Sequence, residues 1–467
     1  MLRRDFLRLS GAAAMTPLLP VGLRADAEPD QVLRAAADAA KLMGADKPAT
    51  PVWAFGGQSP GPVIRIPRNK PVHIRLENAL AEPTSVHWHG IRIENAMDGV
   101  SGFTQPPVQP GAGFDYRFTA PDAGTYWYHS HHKSWEQVGR GLYGALIVDE
   151  DAPVAVDHDL LFVADDWLLA DDGTLAGGFG DVHDAAHGGR LGNWLTVNGD
   201  TKPTLKVRPG SRLRLRCISA ANARIMAFAF PGLTPSIAAI DGQPLQTPET
   251  LDGPLVLAPA QRADLIIDVP ATPGAVFDVQ EVSFGAPIAA AVLAIEGTPV
   301  RNAPLAEPLV LPANPLSAIT PDPAGAVHVD LVMQGGAMGA MRQAMHGGRM
   351  FDMRALIMEK GQAWAFNGQA GKTDTPLVEI ARGRTLAVNM VNDTRWPHAM
   401  HMHGHHFRVI ERNGKPVANA PWRDTELVDV GEKVRIAFVA DNPGKWLFHC
   451  HMLEHHMAGM GTWISVG

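Results

Sequence analysis

The chain has 467 residues, of which 46% are hydrophobic and 19% charged, with 47 glycines, 38 prolines and a formal net charge of −8. That length supports roughly two to four domains with cores of their own. No run approaches the roughly 18 apolar residues of a membrane span, so no membrane insertion is expected, and the acidic balance argues against a nucleic-acid partner.

In chain order, the first feature is Arg3-Arg4-Asp5-Phe6-Leu7, followed by a modest apolar stretch and Ala25-Asp26-Ala27. Residues 1–27 are read as a twin-arginine signal peptide, which implies the twin-arginine export machinery as a partner and the bacterial periplasm as the compartment. Residues 28–50 read as a short Ala-rich helical patch and a proline-bounded linker. The sequence then repeats itself. VWAFGGQ (52–58), WLTVNGD (194–200) and AWAFNGQ (363–369) resemble one another, and each is followed by an alternating stretch at 72–78, 212–218 or 385–392. Apolar and polar residues alternate there with a period near two, the pattern of half-buried strands.

A second echo relates FDYRFTAPDAGTYWYHSH (114–131) to VRIAFVADNPGKWLFHCH (434–451). The middle counterpart, DLIIDVPATPGAVFDVQ (264–280), keeps the strand-turn-strand pattern without a histidine. The expectation is an all-β chain of three Greek-key β-sandwich domains, at 28–150, 151–320 and 321–467, with the middle one a spacer. The segment 333–358 interrupts this pattern and holds seven of the 18 methionines. Met338, Met341 and Met345 fall at i, i+3 and i+7, one face of a helix, which serves either as adaptable core or as a soft-metal or substrate-gating surface. Cys217, within RLRLRCIS, reads as a small core residue.

Four motifs carry the chemistry. HWHG supplies His87 and His89, HSH supplies His129 and His131, HAMHMHG supplies His398, His401 and His403, and HCHMLEHHMAGM supplies His449, Cys450, His451, His455 and Met460. In a strand, residues i and i+2 share a face, so H-x-H aims two imidazoles together and H-C-H puts a thiolate behind such a pair. A thiolate with two imidazoles and a distant thioether suits a blue copper site. Eight further imidazoles, divided four and four between two repeated units, suggest a metal cluster clamped between them.

With these motifs the sequence resembles the three-domain multicopper oxidases, which include laccases and periplasmic cuprous oxidases, from about residue 50 to the C-terminus. The resemblance implies cupredoxin-like domains and four copper ions. His398, Cys450 and His455, with Met460 as axial ligand, would hold a type 1 copper, and His87 and His401 a type 2 copper. One type 3 copper would take His89, His129 and His451, and the other His131, His403 and His449. By the same likeness a reductant gives single electrons to the type 1 site, and they pass through Cys450, His449 and His451 to the cluster, where O2 becomes water. Asp98, in MDG, matches an acid that bacterial relatives use there, although it also reads as a turn residue before Gly99.

Two departures stand out. His456 occupies a place where bacterial relatives often carry Glu, and it is expected to titrate near neutral pH. Asp393, Thr394, Trp396 and Met457 match a cuprous-oxidase site only in part. The expected partners are O2 and a one-electron reductant, with Cu(I) in copper tolerance ahead of phenols and aromatic amines, and the chain is expected to be a monomer. A nitrite reductase fits poorly with three repeats, and a metal-free relative fits poorly with a complete set of ligand positions.

Overall fold

Alternation becomes strand along the whole chain. In Pro71–Asn78, Val72, Ile74 and Leu76 turn inward while their neighbours face outward. The computed structural model describes residues 28–467 apart from 304 and 306, and the expected export signal, residues 1–27, lies outside the described residues.

The strands form three successive pairs of sheets. In the first pair a four-stranded sheet, ordered Thr50–Phe55, Gln31–Ala40, Pro71–Asn78 and Gly113–Thr119, packs on another ordered Gly61–Pro67, Tyr143–Asp149, Gly124–His129 and His87–His89. Leu33, Ile74 and Tyr116 from one meet Ile64, Tyr128 and Leu146 from the other in a shared core. The second pair joins a six-stranded sheet containing Arg212–Ser219 and Arg262–Asp268 to a five-stranded one, around Phe162, Leu215, Phe228 and Leu293. Cys217 is fully buried in that core, and both cysteines are free thiols. The third pair joins a seven-stranded sheet to a five-stranded one that contains His398–Met402 and Gly444–Cys450. The fold is all-β, as the alternation predicts.

A further apolar cluster joins the pairs. Trp127 and Tyr143 of the first, Val163, Trp167 and Ile218 of the second, and Leu453 of the third pack together, all nearly or fully buried. Burial on this scale removes apolar area from water at roughly 25 cal/mol per Å², which holds the outer pairs in fixed relation.

Two helical expectations are overturned. The Ala-rich patch is the strand Gln31–Ala40, paired parallel to Pro71–Asn78 and antiparallel to Thr50–Phe55. Ladder pairing and burial of Leu33 and Ala35 outweigh alanine's helix preference, a weak prior over so short a stretch. The methionines 338–345 do not share a helical face. Val327–Gly335 is a strand, Met338 takes a left-handed turn conformation (φ +61°), and Gln343–His346 pairs with Arg349–Asp352 as a hairpin. Gly335, Gly336 and Gly339 interrupt the helical pattern, and a side chain at Gly336 would enter the Trp364 ring. The helix comes later, at Met353–Lys360. The Asp352 side chain caps its N-terminus and left-handed Gly361 ends it.

Candidate metal centre

The two outer sandwiches place their histidines by the same ladder register. His87–His89 lies antiparallel to Gly124–His129 with His87 opposite His129, and His398–Met402 lies antiparallel to Gly444–Cys450 with His401 opposite His449. The two ladders face each other. The His89 and His401 rings stack at 3.7 Å between centroids and the His87 and His403 rings at 4.0 Å, each pair joining one sandwich to the other. His129 meets His451 edge-on at 5.2 Å, and His131 meets His449 at 5.5 Å. All eight histidines are between 0 and 7% exposed.

Their hydrogen bonds set which nitrogen each imidazole can offer a metal. Nδ1–H of His87 donates to the Asp98 carbonyl (2.7 Å), that of His129 to the Ser130 carbonyl (2.9 Å), that of His401 to the Asp424 carbonyl (3.0 Å), and that of His449 to the Cys450 carbonyl (2.8 Å). A carbonyl only accepts, so each of these rings carries its proton on Nδ1 and presents a bare Nε2. His89 is reversed, because its Nε2–H donates to Asp424 Oδ1 (3.1 Å) and leaves Nδ1 bare. His87 Nε2, His89 Nδ1, His401 Nε2 and His451 Nδ1 have no protein partner. Buried unpaired nitrogens are rare, and several in one place fit a metal. Burial, reinforced by neighbouring imidazoles, holds His89, His129, His131, His403, His449 and His451 well below the usual histidine range, so they are neutral, the form that ligates. The donor atoms of His87, His89 and His129 lie within 4.8 Å of one another, as do those of His87, His401 and His403.

Cys450 points to the opposite side of its strand. Its Sγ lies 3.7 Å from His398 Nδ1 and 3.8 Å from His455 Nδ1, and those two nitrogens are 3.1 Å apart. His398 Nε2–H donates to Thr394 Oγ1 (2.9 Å) and His455 Nε2–H to the His187 carbonyl (2.7 Å), which leaves both Nδ1 atoms facing the sulfur. Burial pushes the Cys450 thiol up to about 12. A soft cation bound there would supply the charge that makes it a thiolate. Met460 is fully buried in the same core, and its carbonyl accepts the Cys450 amide (3.1 Å). These donor sets suit copper at both places.

Asp98 is a turn residue that also contacts the cluster. It follows the short helix Asn95–Met97, and its carboxylate accepts from His403 Nδ1 at 3.0 Å. The next residue, Gly99 (φ +82°), must be glycine, because a Cβ there would overlap the Val86 carbonyl beside His87. His456 departs from expectation. Its ring stacks on His449 at 4.2 Å, and burial, with a smaller effect from Lys372, lowers it to about 4, so it is neutral at pH 7 rather than poised near it. Asp424, fully buried against His89 and His401, had no signal in the sequence, since WRDTELVD reads as an ordinary strand.

Beside His455 a cavity of about 250 Å³ opens between Trp396, Pro397, Met452, Ile225 and Arg224. No acidic residue lines it among the described residues. Arg224 lies over the Phe284 ring at 3.8 Å, and its Nε donates to Asp166 Oδ2 (2.8 Å). Burial raises Asp166 from 3.8 to about 6 although Arg224 opposes it. Below the unfolded value both states are protonated. As pH rises to about 6 the unfolded chain ionises first, so stability falls across that window by on the order of 3 kcal/mol. Asp166→Asn is therefore expected to lose stability less steeply than wild type between about pH 4 and about pH 6.5, whatever its offset. Unfolding free energies from urea titrations that fall in parallel with pH for the two proteins would contradict this.

Known proteins share this plan. Sequence profiles described as multicopper oxidase match residues 37–153, 161–297 and 348–467, one on each pair of sheets. A crystal structure of Lac15 from a marine microbial metagenome is 40% identical, with a TM-score of 0.75, over 94% of this chain and 100% of its own. The multi-copper oxidase from Pseudomonas thermotolerans is 31% identical, with a TM-score of 0.81, over 94% and 100%. Multicopper oxidase MmcO of Mycobacterium tuberculosis is 29% identical over 89% of this chain and 83% of its own. With likeness running through all three sandwiches at this level, the chain belongs to the multicopper oxidases.

Proposed function

We propose that this enzyme oxidises small aromatic reductants, one electron at a time, at the Cys450 site and reduces O2 to water at the eight-histidine site. The observation that carries the reading is adjacency along one strand end. Cys450 faces His398 and His455, while His449 and His451, bonded to it on either side, face the other cluster. In this reading His398, Cys450, His455 and Met460 hold a type 1 copper and His87 and His401 a type 2 copper. The type 3 pair falls to His89, His129 and His451 on one side and His131, His403 and His449 on the other. Coppers held by these residues would supply the redox chemistry, one-electron oxidation of the reductant at the Cys450 site and reduction of O2 at the eight-histidine site.

The protein's own groups orient and protect. Backbone carbonyls fix the tautomers of His87, His129, His401 and His449, and Asp98 holds His403 through Nδ1. Full burial of Cys450 keeps solvent from the sulfur. The His455 mouth selects the reductant: its apolar walls and Arg224 receive an aromatic ring, and a cation gains no carboxylate there. The reading also includes three domains divided near 150 and 320, and export to the periplasm by the twin-arginine route. Copper analysis with O2 uptake on a simple phenol tests it. About four coppers per chain and phenol-dependent uptake are expected, and one copper or none would end it.

One observation favours a second reading, Cu(I) oxidation in copper tolerance. The ring of His183, on the short helix Val182–Ala186, stacks at 4.0 Å on that of His187 just past the helix end, and His187 abuts Trp396. Met338, 75% exposed, follows Ala337, whose carbonyl accepts the Trp396 indole N–H. Imidazoles and a thioether at one rim could collect a soft cation. For the double variant His183→Ala/Met338→Gln, phenol turnover is expected to stay within about twofold of wild type. A fall of about tenfold or more in oxidation of chelator-buffered Cu(I), with phenol turnover slow in wild type, would favour the second reading.

A further inference from the structure

The middle sandwich holds none of the histidines in the eight-imidazole cluster, yet one of its side chains reaches that cluster. Arg262 opens the strand Arg262–Asp268 and its side chain is fully buried. Its Nη1 and Nη2 donate to the two oxygens of Asp424 at 2.8 and 2.6 Å, a two-pronged pair. Nη1 also donates to the Ala260 carbonyl (3.1 Å) and Nε to the Thr125 carbonyl of the first sandwich (3.4 Å). One guanidinium therefore contacts all three sandwiches. Asp241 closes the frame, accepting the Arg262 amide on Oδ1 and the Asp424 and Thr425 amides on Oδ2.

Asp424 passes this order to two of the eight histidines. Its Oδ1 accepts Nε2–H of His89, and its carbonyl accepts Nδ1–H of His401. His89 is thereby fixed with a bare Nδ1 and His401 with a bare Nε2, the two atoms left without protein partners. Gly90, the glycine of HWHG, runs directly beneath this pair. A Cβ there would overlap both the Arg262 guanidinium and Asp424, so the motif leaves room for the contact.

We propose that Arg262 is a positioning residue for the cluster: it orients the Asp424 carboxylate, whose Oδ1 lies 3.1 Å from His89 Nε2 and 3.4 Å from His401 Nδ1, and loading of the non-blue copper at His401 depends on it. The inference rests on the ligand assignment above. Without the guanidinium that grips both of its oxygens, the Asp424 carboxylate is free to turn away from His89 Nε2 and His401 Nδ1. The Cys450 site, which Arg262 does not touch, keeps its ligands.

The test uses the full-length copper-loaded enzyme and the variants Arg262→Met, Arg262→Lys and Asp424→Asn. Copper content, the blue absorption and the non-blue (type 2) electron paramagnetic resonance signal are read on each. Arg262→Met and Asp424→Asn are expected to keep the blue absorption per chain and to bind the non-blue copper roughly 10–100-fold more weakly, while Arg262→Lys recovers part of the signal. A full non-blue signal in Arg262→Met overturns the proposal. So does an equal loss of blue and non-blue signals in both Arg262→Met and Asp424→Asn, which would make Arg262 a general structural residue. If wild type itself shows no non-blue signal, the ligand assignment fails, which is a separate result.

Discussion

Cys450→Ser is expected to yield a folded, colourless protein with reductant-driven O2 uptake at background. Serine nearly preserves the shape of a side chain that is wholly buried between His398 and His455, so the packing survives. What it removes is the one soft anion of the site. A hydroxyl ionises far less readily than a thiol, and burial already holds the thiol near 12, so no cation-stabilised alkoxide replaces it. The eight-imidazole cluster lies on the other side of the strand and keeps its donors, so the variant retains most of its copper. Visible absorption, copper analysis and circular dichroism on one sample separate these effects. A blue, active Cys450→Ser enzyme would falsify the assignment of both sites, because every electron route drawn above passes this residue.

Asp98→Ala comes next in size. The substitution leaves the backbone carbonyl that holds His87 and deletes the carboxylate that holds His403 through Nδ1. His403 then carries a buried N–H with no acceptor, and the cluster loses a carboxylate that touches both His403 and His87. O2-dependent turnover is expected to fall on the order of 10²-fold, while electrons still enter at Cys450. Anaerobic reduction followed by admission of O2 distinguishes the steps: bleaching of the blue band is expected at the wild-type rate, and recolouring slowly. Recolouring as fast as wild type would relegate Asp98 to the turn before Gly99.

How far the sequence could be read depends on the kind of information each feature carries. The convergence of the histidines was legible because H-x-H and H-C-H are local patterns with period two, and a strand converts that period directly into facing. His87 opposite His129 and His401 opposite His449 follow from it. The repeated motifs likewise gave the three sandwiches. Segments whose fate rests on distant partners were not legible. Gln31–Ala40 is a strand because two neighbouring strands accept it, and Met338 sits in a turn because Gly336 must pass Trp364. Arg262 and Asp424 lie 162 residues apart and each looks like an ordinary charged strand residue, so only the fold shows that they meet. His456 misled for a related reason: its type suggests titration near neutrality, and the stacking and burial that lower it are tertiary.

The stacking of His89 on His401 and of His87 on His403 also bears on how the enzyme is made. These partners are more than three hundred residues apart, so the pocket they define does not exist until the last strands have been synthesised and docked. Contacts of such separation form late and slowly. A chain ending before Gly444–Cys450 would lack His449 and His451 and could not complete the cluster. The eight-imidazole arrangement is thus a property of the finished chain, complete only when both ends of the polypeptide have come together.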